Sequence, residues 1–467
     1  MPRKKTTASS PPTRWLPSAA RPVVAIVGRP NVGKSTLFNR LTRTRRALVH
    51  DRPGVTRDRN YGILREATRE AVLVDTGGFE ADPSKDRLVS RVREQARLAI
   101  EEANLVLFVI DVQGGVSPGD REIFQMLRQS HKPVFVVVNK TDIRSVTPED
   151  AYELGCDEII PVSAEHGRGT GELLEKIWEA IPDWSPPEIP DGTERPLAVA
   201  IVGRPNVGKS TLINRILGEE RLVASDVAGT TRDTIDTIVE RNGKTYVFID
   251  TAGIRRKGRI GDRLEKYSVI KALESVSRCD VACVLIDCGE GLTEQDMNVA
   301  GLVEEESRGC VLVASKWDLR PKGDKERKQF EKDVRYFLKG LHYAPLVVTS
   351  SVTGMGFPEL MSAIDRVGAA CRKRISTAQL NKLLEDIKAE RSLSSHKGPR
   401  VKLNYISQVR SSPPTFVIFT NNPEGIHFSD KRWIANRLRD TFGFEGVPLR
   451  IIYRQKVRKD YSQGRGA

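Results

Sequence analysis

The chain has 467 residues, which is long for one hydrophobic core, so we expect about three domains. Hydrophobic residues make up 39%, as is ordinary for soluble globular proteins, and no apolar run approaches the ~18 residues needed to span a bilayer, which excludes an integral membrane protein. The net charge of +14 is concentrated at the ends, since residues 1–22 carry +5, residues 368–467 carry +12 and the rest carry −3.

The basic C-terminal region has two interpretations. A positive field on a small domain attracts nucleic-acid phosphates, and the alternative is a solvated surface that aids solubility. Residues 1–21 are basic and rich in Ser, Thr and Pro, which favours a disordered arm over a transit peptide. The six cysteines form no CxxC pair and the histidines show no ligand spacing, so we expect reduced, buried thiols and no metal cluster.

From residue 23 onward, short apolar runs alternate with amphipathic stretches. The predicted strands are Val23–Val27, Ala71–Val74, Leu105–Ile110 and Val134–Val138, and the predicted helices include Ser35–Leu41 and Gly119–Gln129. Fully apolar strands between amphipathic helices predict an α/β fold with a mostly parallel sheet and helices on both faces. Ligands of such sheets bind beyond the C-terminal ends of the strands.

Changes in composition along the chain indicate the domain boundaries. Five prolines in residues 181–196 indicate a stiff linker, so the predicted domains are 22–181 and 197–370, joined by a linker at 182–196. Residues 371–467 form a predicted small α+β domain with a basic tail. Its predicted elements are Thr377–Ile387 and Lys431–Phe442 as helices, and Val401–Val409, Thr415–Thr420 and Leu449–Arg454 as strands.

One octapeptide, Gly-Arg-Pro-Asn-Val-Gly-Lys-Ser, occurs at both 28–35 and 203–210. It fits the phosphate-binding pattern G-x-x-x-x-G-K-[ST]. Residues 54–58 and 75–78 also recur 175 positions later, and residues 139–142 recur 176 positions later as Ser-Lys-Trp-Asp. Residues 162–164 recur after 187 positions, which places an insertion near 320–340 of the second copy. The register indicates two P-loop domains in tandem.

The repeated motifs predict nucleotide chemistry. Glycines in the loop let backbone N–H groups face the β-phosphate, while Lys34 and Lys209 reach the β/γ oxygens. The predicted Mg²⁺ ligands, direct or through water, are Ser35, Thr56, Asp75, Ser210, Thr231 and Asp250. Gly78 and Gly253 can donate a backbone N–H to the γ-phosphate, so that its loss releases the loop.

The Asn-Lys-x-Asp motif predicts guanine specificity. The Asp142 carboxylate can accept from guanine N1–H and N2–H₂ together, and adenine offers no matching pair of donors. Lys140 covers the base plane, and the Ala164 backbone can donate to O6. The predicted nucleotide-binding residues of the first copy are Gly28, Arg29, Pro30, Asn31, Val32, Gly33, Lys34, Ser35, Asp75, Thr76, Gly77, Gly78, Phe79, Asn139, Lys140, Thr141, Asp142, Ser163 and Ala164. Those of the second copy are Gly203, Arg204, Pro205, Asn206, Val207, Gly208, Lys209, Ser210, Asp250, Thr251, Ala252, Gly253, Ile254, Ser315, Lys316, Trp317, Asp318, Ser350 and Ser351.

Two departures from the usual GTPase pattern matter. Phe79 and Ile254 occupy the position after Asp-x-x-Gly where a water-orienting Gln often stands, so we expect slow hydrolysis without a partner or cation. Ser315 replaces the Asn of the second base motif, so we expect weaker nucleotide binding there, by roughly 1–2 kcal/mol if one or two hydrogen bonds are lost.

From residue 22 onward the chain resembles the Der (EngA) family of bacterial double GTPases. The resemblance rests on the paired octapeptides, Gly-Ile-Arg-Arg-Lys-Gly at 253–258, Glu-Lys-Tyr-Ser at 265–268 and Ser-Lys-Trp-Asp-Leu at 315–319. It implies a KH-like last domain and GTP-dependent binding to the large ribosomal subunit and its rRNA during maturation. It also implies a K⁺ held near Asn31 and Asn206, so the predicted catalytic residues are Lys34, Thr56, Asn31, Lys209, Thr231 and Asn206.

Three functions compete at this point. The first is a monomeric cytoplasmic GTP hydrolase that switches ribosome binding without a membrane partner. The second is an RNA-binding assembly scaffold in which hydrolysis is incidental, and the weakest is a membrane-surface GTPase. Residues 443–446 have the GXXG letters of a KH loop but precede a strand, so they also fit a helix C-cap and turn. Predicted phosphate contacts are Lys397, Arg400, Lys402, Lys431, Arg432, Arg437 and Arg439.

Overall fold

The computed structural model describes residues 21–42, 61–66, 69–76, 103–142, 149–152, 154–156, 158–184, 195–218, 223–228, 235–251, 268–321, 323–391 and 400–455. The chain divides into two compact units, one within residues 18–188 and the other within residues 189–467. The second unit contains both the second α/β domain and the C-terminal domain. None of the helices within the described ranges combines the length and apolarity that crossing a membrane requires.

The first unit is a six-stranded sheet with helices on both faces. Its strands are β1 Val23–Val27, β2 Tyr61–Glu66, β3 Arg69–Asp75, β4 Leu105–Asp111, β5 Val134–Asn139 and β6 Ile159–Pro161, in the order β2-β3-β1-β4-β5-β6. Its described helices are α1 Lys34–Leu41, α2 Pro118–Gln129, α3 Glu149–Tyr152 and α4 Thr170–Ala180. Only β2 runs antiparallel to its neighbour, which confirms the predicted mostly parallel sheet.

Burial on both faces explains the apolar strands. Every residue of β1 is buried, and β4 is buried except for its last residue. Two hydrophobic clusters lie on opposite sides of this sheet, because alternate side chains of β1 and β4 contribute to each. The α2 helix begins with a capping box, in which Ser117 Oγ accepts from the Asp120 backbone and the Asp120 side chain accepts from Ser117 N.

The second α/β domain repeats this plan in a seven-stranded sheet ordered β13-β12-β11-β7-β10-β9-β8. Its strands are β7 Leu197–Val202, β8 Val223–Ala228, β9 Ile235–Arg241, β10 Lys244–Phe248, β11 Val281–Asp287, β12 Gly309–Ser315 and β13 Leu346–Val348. Its described helices are α5 Lys209–Leu217, α6 Ser268–Arg278, α7 Glu294–Glu305, α8 Asp324–Phe337 and α9 Phe357–Cys371, with 3-10 turns at Trp317–Leu319 and Lys339–Leu341.

The predicted insertion in the second copy is the helix α8. It has 14 residues, whereas α3, which also lies between the base motif and the last strand of the first sheet, has four. Phe330 and Val334 are the buried side chains of α8, so one side of this helix packs on the domain and the opposite side faces solvent.

The C-terminal domain has a three-stranded sheet ordered β14-β15-β16. It consists of α10 Thr377–Glu390, β14 Leu403–Arg410, β15 Thr415–Thr420, α11 Phe428–Phe442 and β16 Arg450–Gln455. β15 pairs antiparallel with β14 and parallel with β16, and the helices share one hydrophobic core with the sheet. The predicted strands and helices of this domain are confirmed to within three residues at each end.

Residues 443–446 attach the C-terminal domain to the second α/β domain. Gly443 caps α11 in the left-handed conformation, and Phe444 is fully buried. Cys310 N donates to Gly446 O at 2.7 Å, and Gly446 N donates to Tyr343 O at 2.9 Å. These residues therefore form the predicted helix cap and turn, and their backbone is engaged in a domain contact instead of being open to RNA.

Three residues near the predicted boundaries lie inside the folded units. Arg21 is buried, forms an ion pair with Glu70 at 2.7 Å and lies over the Trp184 ring. Trp184 is itself buried, and its carbonyl accepts from Glu70 N. Cys371 completes α9 and belongs to the core of the second domain. Residues 1–20 of the predicted arm at 1–21, and most of the predicted linker, lie outside the described residues.

Candidate functional site

The loop between β1 and α1 has the backbone of a phosphate cradle. Gly33 adopts φ 92°, and a Cβ there would lie 2.2 Å from Asn139 Nδ2. A Cβ at Gly28 would lie 2.4 Å from Val109 O, so both positions require glycine. Lys34 Nζ donates to Arg29 O at 2.8 Å, which holds the ammonium within the loop where a bound phosphate would meet it. The loop ends at the α1 N-terminus, whose dipole favours anions.

Oxygen donors suited to Mg²⁺ meet at the start of α1. Ser35 Oγ donates to Asp75 Oδ2 at 2.6 Å, so the hydroxyl and the carboxylate already lie side by side. Mg²⁺ prefers such hard oxygen ligands, so this pair fits the metal that accompanies a nucleotide triphosphate. Thr76 Oγ1 donates to Ile26 O at 2.8 Å and fixes the end of β3 beside the phosphate loop.

Asn139 links the phosphate loop to the base-recognition loop. Its Nδ2 donates to Val32 O at 2.9 Å, and its Oδ1 accepts from Ala164 N at 3.0 Å. Lys140 Nζ donates to Asn31 O at 3.0 Å, so the aliphatic stem of this lysine extends over the site from the other side. Asn139 is buried, and its two bonds fix the relative position of the two loops.

The Asp142 carboxylate is held in place by Ser163. Ser163 Oγ donates to Asp142 Oδ1 at 2.6 Å, and this hydrogen bond lowers the pKa of Asp142. His166 Nε2 lies 3.5 Å from Asp142 Oδ2. A pre-oriented, ionised carboxylate is what recognition of the two guanine N–H donors requires.

The second copy reproduces the phosphate loop. Lys209 Nζ donates to Gly203 O at 2.7 Å and to Arg204 O at 2.6 Å, and Gly208 adopts φ 102°. Trp317 N donates to Thr349 O at 3.1 Å, as Thr141 N donates to Val162 O in the first copy. The predicted loop residues Pro30, Val32, Pro205 and Val207 lie in these two cradles, with both valines buried.

Ser315 keeps one of the two contacts made by Asn139. Its Oγ lies 2.8 Å from Val207 O and 3.0 Å from Ile286 O, but among the described residues no hydrogen bond joins Ser315 to Ser350 or Ser351. No described residue hydrogen-bonds to the Asp318 carboxylate either, and Ser350 Oγ instead accepts from Thr353 N. The second base-recognition loop therefore has fewer internal bonds.

The structure shows acidic partners for the two base-motif lysines that the sequence motifs did not predict. Lys140 Nζ lies 2.7 Å from Asp111 Oδ2, and Lys316 Nζ lies 2.7 Å from Asp287 Oδ2. Burial raises the pKa of Asp287, but hydrogen bonds from Lys316 and backbone amides more than offset this, so its pKa is lowered. Both aspartates end the strand before the base motif, 176 residues apart, so extending the repeat comparison to strand ends identifies them.

The second copy also has a buried polar cluster beneath Asp250. Asp236 accepts from Asp250 N at 3.0 Å and pairs with Arg278, and all three side chains are buried. Asp250 adopts φ 54°, an unfavourable backbone for aspartate that the hydrogen bond to Asp236 stabilises. The buried hydroxyl groups of Thr237 and Thr251 form a hydrogen bond to each other at 2.6 Å. The corresponding first-copy residues are Tyr61, Gly62 and Ala103, so sequence repetition alone gave no signal for this cluster.

Some predicted site residues lie outside the described residues. They are Thr56, Gly77, Gly78, Phe79, Thr231, Ala252, Gly253 and Ile254. Their roles in Mg²⁺ and γ-phosphate binding stay predictions.

The predicted phosphate contacts of the C-terminal domain divide into two groups. Arg439 is half-buried, lies over the Tyr343 ring at 5.0 Å and has a pKa lowered chiefly by burial, so its prediction as a phosphate contact gains no support from the structure. Arg437 pairs with Glu390, and Lys431 lies over the Tyr453 ring. Arg400, Lys402 and Arg432 are exposed, and Lys397 lies outside the described residues.

The fold and the two sites define a protein with tandem P-loop domains built to bind guanine nucleotides. The family model described as "50S ribosome-binding GTPase" matches residues 23–140 and 198–316. The model described as "KH-domain-like of EngA bacterial GTPase enzymes, C-terminal" matches residues 374–454.

The sequence aligns with those of curated relatives over nearly the whole length of this chain. GTPase Der of Citrifermentans bemidjiense is 48% identical over 94% of this chain and 100% of its own, and GTPase Der of Heliobacterium modesticaldum is 46% identical over 94% and 99%. The chain therefore belongs to the Der family of double GTPases. It is a GTP-binding switch protein with GTPase activity that uses GTP, GDP and Mg²⁺.

A solved structure of Era from Aquifex aeolicus, bound to GDP and AlF4−, is 24% identical and covers 68% of this chain and 99% of its own, with a TM-score of 0.29. At that TM-score the likeness adds nothing to the assignment.

Proposed function

We propose that this protein switches its association with the large ribosomal subunit through its nucleotide state and acts in late assembly of that subunit. The observation that carries the proposal is that one chain contains two guanine-nucleotide domains and one KH-like domain, with the KH-like domain packed on the second nucleotide domain. The family model for both nucleotide domains is described as ribosome-binding, which supports the same partner.

Charge supports rRNA as the contacted component. Residues 368–467 carry 20 Lys and Arg against 8 Asp and Glu, and the described exposed cations include Arg400, Lys402 and Arg432. A localised positive field binds phosphate backbones by releasing counterions. The KH-like domain is bonded to the second nucleotide domain through Gly446, so a nucleotide-driven change there has a physical route to the RNA-binding part.

We further propose that hydrolysis is slow alone and is stimulated by K⁺ at one or both nucleotide sites. Phe79 and Ile254 offer no hydrogen bond to orient water, so positive charge must come from elsewhere. Asn31 and Asn206 lie exposed at the tips of the phosphate loops with φ 66° and 59°, where a monovalent cation would meet the phosphates.

Sedimentation with purified ribosomal subunits tests the partner. We expect the GTP, GDP and non-hydrolysable-analogue states to differ in binding to the large subunit and none to prefer the small subunit. Failure of every nucleotide state to bind would overturn the ribosomal function. Single-turnover hydrolysis with subunits, in K⁺ or Na⁺, separates a switch from an assembly scaffold, because only a switch couples subunit binding to turnover.

The proposed setting is a cytoplasmic monomer with no membrane partner. Liposome flotation and sedimentation equilibrium test the last two points. Co-flotation with anionic vesicles at physiological salt, or a stable dimer at cellular concentrations, would contradict them.

A further inference from the structure

We propose that the solvent-facing side of α8, which is longer than its described first-copy counterpart α3, is a binding surface for single-stranded RNA. The inference rests on the proposed function for its partner class, but it assigns a surface outside the KH-like domain. We call this surface the α8 face. Its lining residues are Lys328, Glu331, Lys332, Arg335, Tyr336 and Lys339.

The α8 face combines cations with an exposed aromatic ring. Four of its six side chains are basic and one is acidic, and because Arg335 bonds carbonyls of its own domain and pairs with Glu331, the cations left for phosphates are Lys328, Lys332 and Lys339. Tyr336 is 65% exposed, and Lys339 Nζ lies 4.7 Å from the centre of its ring. Phe337, 50% exposed, contacts Tyr336 edge to face at 5.3 Å. Basic side chains that flank an exposed ring suit a strand whose phosphates and bases alternate, since the cations meet phosphates and the ring stacks on a base.

The buried side of α8 fixes this face in position. Phe330 is 2% exposed and packs edge to face on Trp317 of the base motif at 5.7 Å. Arg320 lies over the Phe330 ring at 4.9 Å. At the other end, Arg335 Nη1 donates to the carbonyls of Ala344 at 2.7 Å and His342 at 3.1 Å. A helix held at both ends presents its outer side chains with little ordering cost on binding.

The positive character continues from the α8 face onto the KH-like domain. His342 follows α8, and its pKa is lowered by burial together with the charges of Arg439, Arg432 and Arg335. Arg335 belongs to α8 and Arg432 to α11, so arginines of both domains converge on this histidine. The exposed Arg432 is therefore near enough to the C-terminal end of α8 to act on His342, and we expect a strand bound along α8 to extend toward it.

The chemistry of the α8 face favours RNA over other partners. An acidic peptide would satisfy the lysines but leave Tyr336 without a flat partner for stacking. Membrane docking needs a broad apolar side rimmed by cations, whereas Phe330 and Val334 are buried and hold α8 to its own domain, which leaves Phe337 as its single exposed hydrocarbon side chain. Duplex RNA would offer phosphates but keep its bases stacked away from the ring.

The test compares full-length variants that remove equal charge. Lys328→Gln/Lys332→Gln changes the α8 face. The control, Lys244→Gln/Arg366→Gln, removes two exposed cations of the same domain that lie outside α8, where they pair with Asp365 and Glu445. Anisotropy with a fluorescein-labelled poly(U) RNA is measured against salt. Each lost phosphate contact on a single strand lowers the salt slope by roughly 0.7, so we expect a drop of about 1.4 for the first variant and none for the control.

The stacking component is tested at Tyr336. Loss of one stacked base costs roughly 1–3 kcal/mol, so we expect Tyr336→Ala to weaken poly(U) binding at least about fivefold and Tyr336→Trp to restore it. The same variants are sedimented with large ribosomal subunits, and anionic vesicles serve as a further probe.

The outcomes separate this inference from the proposed function. Poly(U) binding that depends on the α8 face supports the inference even if subunits do not bind, in which case only the ribosomal function fails. Equal salt slopes for the two double variants overturn the inference, as does an unchanged affinity of Tyr336→Ala. If neither change alters binding to large subunits or to poly(U), the proposed function stands and the inference is overturned. If the α8-face variants lose binding to anionic vesicles but keep binding to RNA, the inference is overturned in favour of a membrane partner.

Discussion

Exchanging Ser315 and Asn139 between the two base motifs tests whether the buried amide sets nucleotide affinity. In the first copy the Asn139 side chain makes two hydrogen bonds, at 2.9 Å to Val32 O and at 3.0 Å from Ala164 N. In the second copy Ser315 keeps only the bond to the phosphate loop. One neutral hydrogen bond contributes about 0.5–1.5 kcal/mol, which is roughly a 2- to 12-fold difference in dissociation constant.

The structure has room for the larger side chain. A Cβ built at Gly33 would lie 2.2 Å from the Asn139 amide, whereas no described atom lies within 4 Å of a Cβ built at Gly208. The space that the amide fills in the first copy is therefore open in the second. Ser315→Asn should enter it without displacing the loop and restore the bond to the Ser351 backbone.

Calorimetry with GDP measures each site while the other is disabled. In a Lys34→Ala background, Ser315→Asn should bind GDP about 2- to 12-fold more tightly, and in a Lys209→Ala background, Asn139→Ser should bind more weakly by a similar factor. Thermal unfolding of the nucleotide-free variants is the control for folding. If Ser315→Asn folds but binds no more tightly, the missing hydrogen bond does not explain any difference between the copies.

Three further changes probe the second unit. Asp236→Asn leaves the buried Arg278 charge without its partner and should lower the free energy of unfolding by about 3–5 kcal/mol, measured by urea denaturation. Gly446→Ala places a Cβ 2.3 Å from a Val367 methyl group and should loosen the KH-like domain in limited proteolysis. Gly443→Ala, at a similar φ but with only an ordinary contact to Lys373 Nζ at 3.9 Å, should cost only about 1 kcal/mol. Burial raises the pKa of Asp280, but its two arginine partners more than offset this, so its folded pKa lies below the unfolded value. Its contribution is present above about pH 4 and is lost as the pH falls through the folded pKa, so the stability gap between wild type and Asp280→Asn should shrink in acid. The first expectation would be contradicted by an unaltered unfolding midpoint for Asp236→Asn. The second would be contradicted by equal protease sensitivity of the two glycine variants. The third would be contradicted if the stability difference between wild type and Asp280→Asn widened in acid.

Much of the fold follows directly from the sequence because its signals are local. The strands β1 and β15 match their predicted bounds, since continuous apolar runs end at a loop or turn on both sides. The α11 helix begins three residues before its prediction because His427 caps it by accepting from Ser429 N, a role that hydrophobic periodicity does not reveal. The exchange of Asn for Ser in the second base motif was visible in the sequence, but the bond that Ser315 keeps depends on the three-dimensional approach of Val207.

Residues that act through partners distant in sequence could not be predicted. Asp236 and Arg278 are 42 positions apart and meet only when α6 packs beside the sheet. Arg439 looked like a surface cation because its helix is amphipathic, yet the docking of the two domains covers it with Tyr343. Charge patterning identifies basic residues, but only tertiary packing decides which of them face solvent.

Guanine recognition in each nucleotide domain depends on the base-motif aspartate, Asp142 or Asp318. Titration calorimetry of the full chain with GDP and with ADP, in the presence of Mg²⁺, measures this dependence. We expect two GDP sites, both lost in an Asp142→Asn/Asp318→Asn variant that still folds, and no measurable ADP binding. Comparable binding of ADP, or two GDP sites that survive in the double variant, would contradict it.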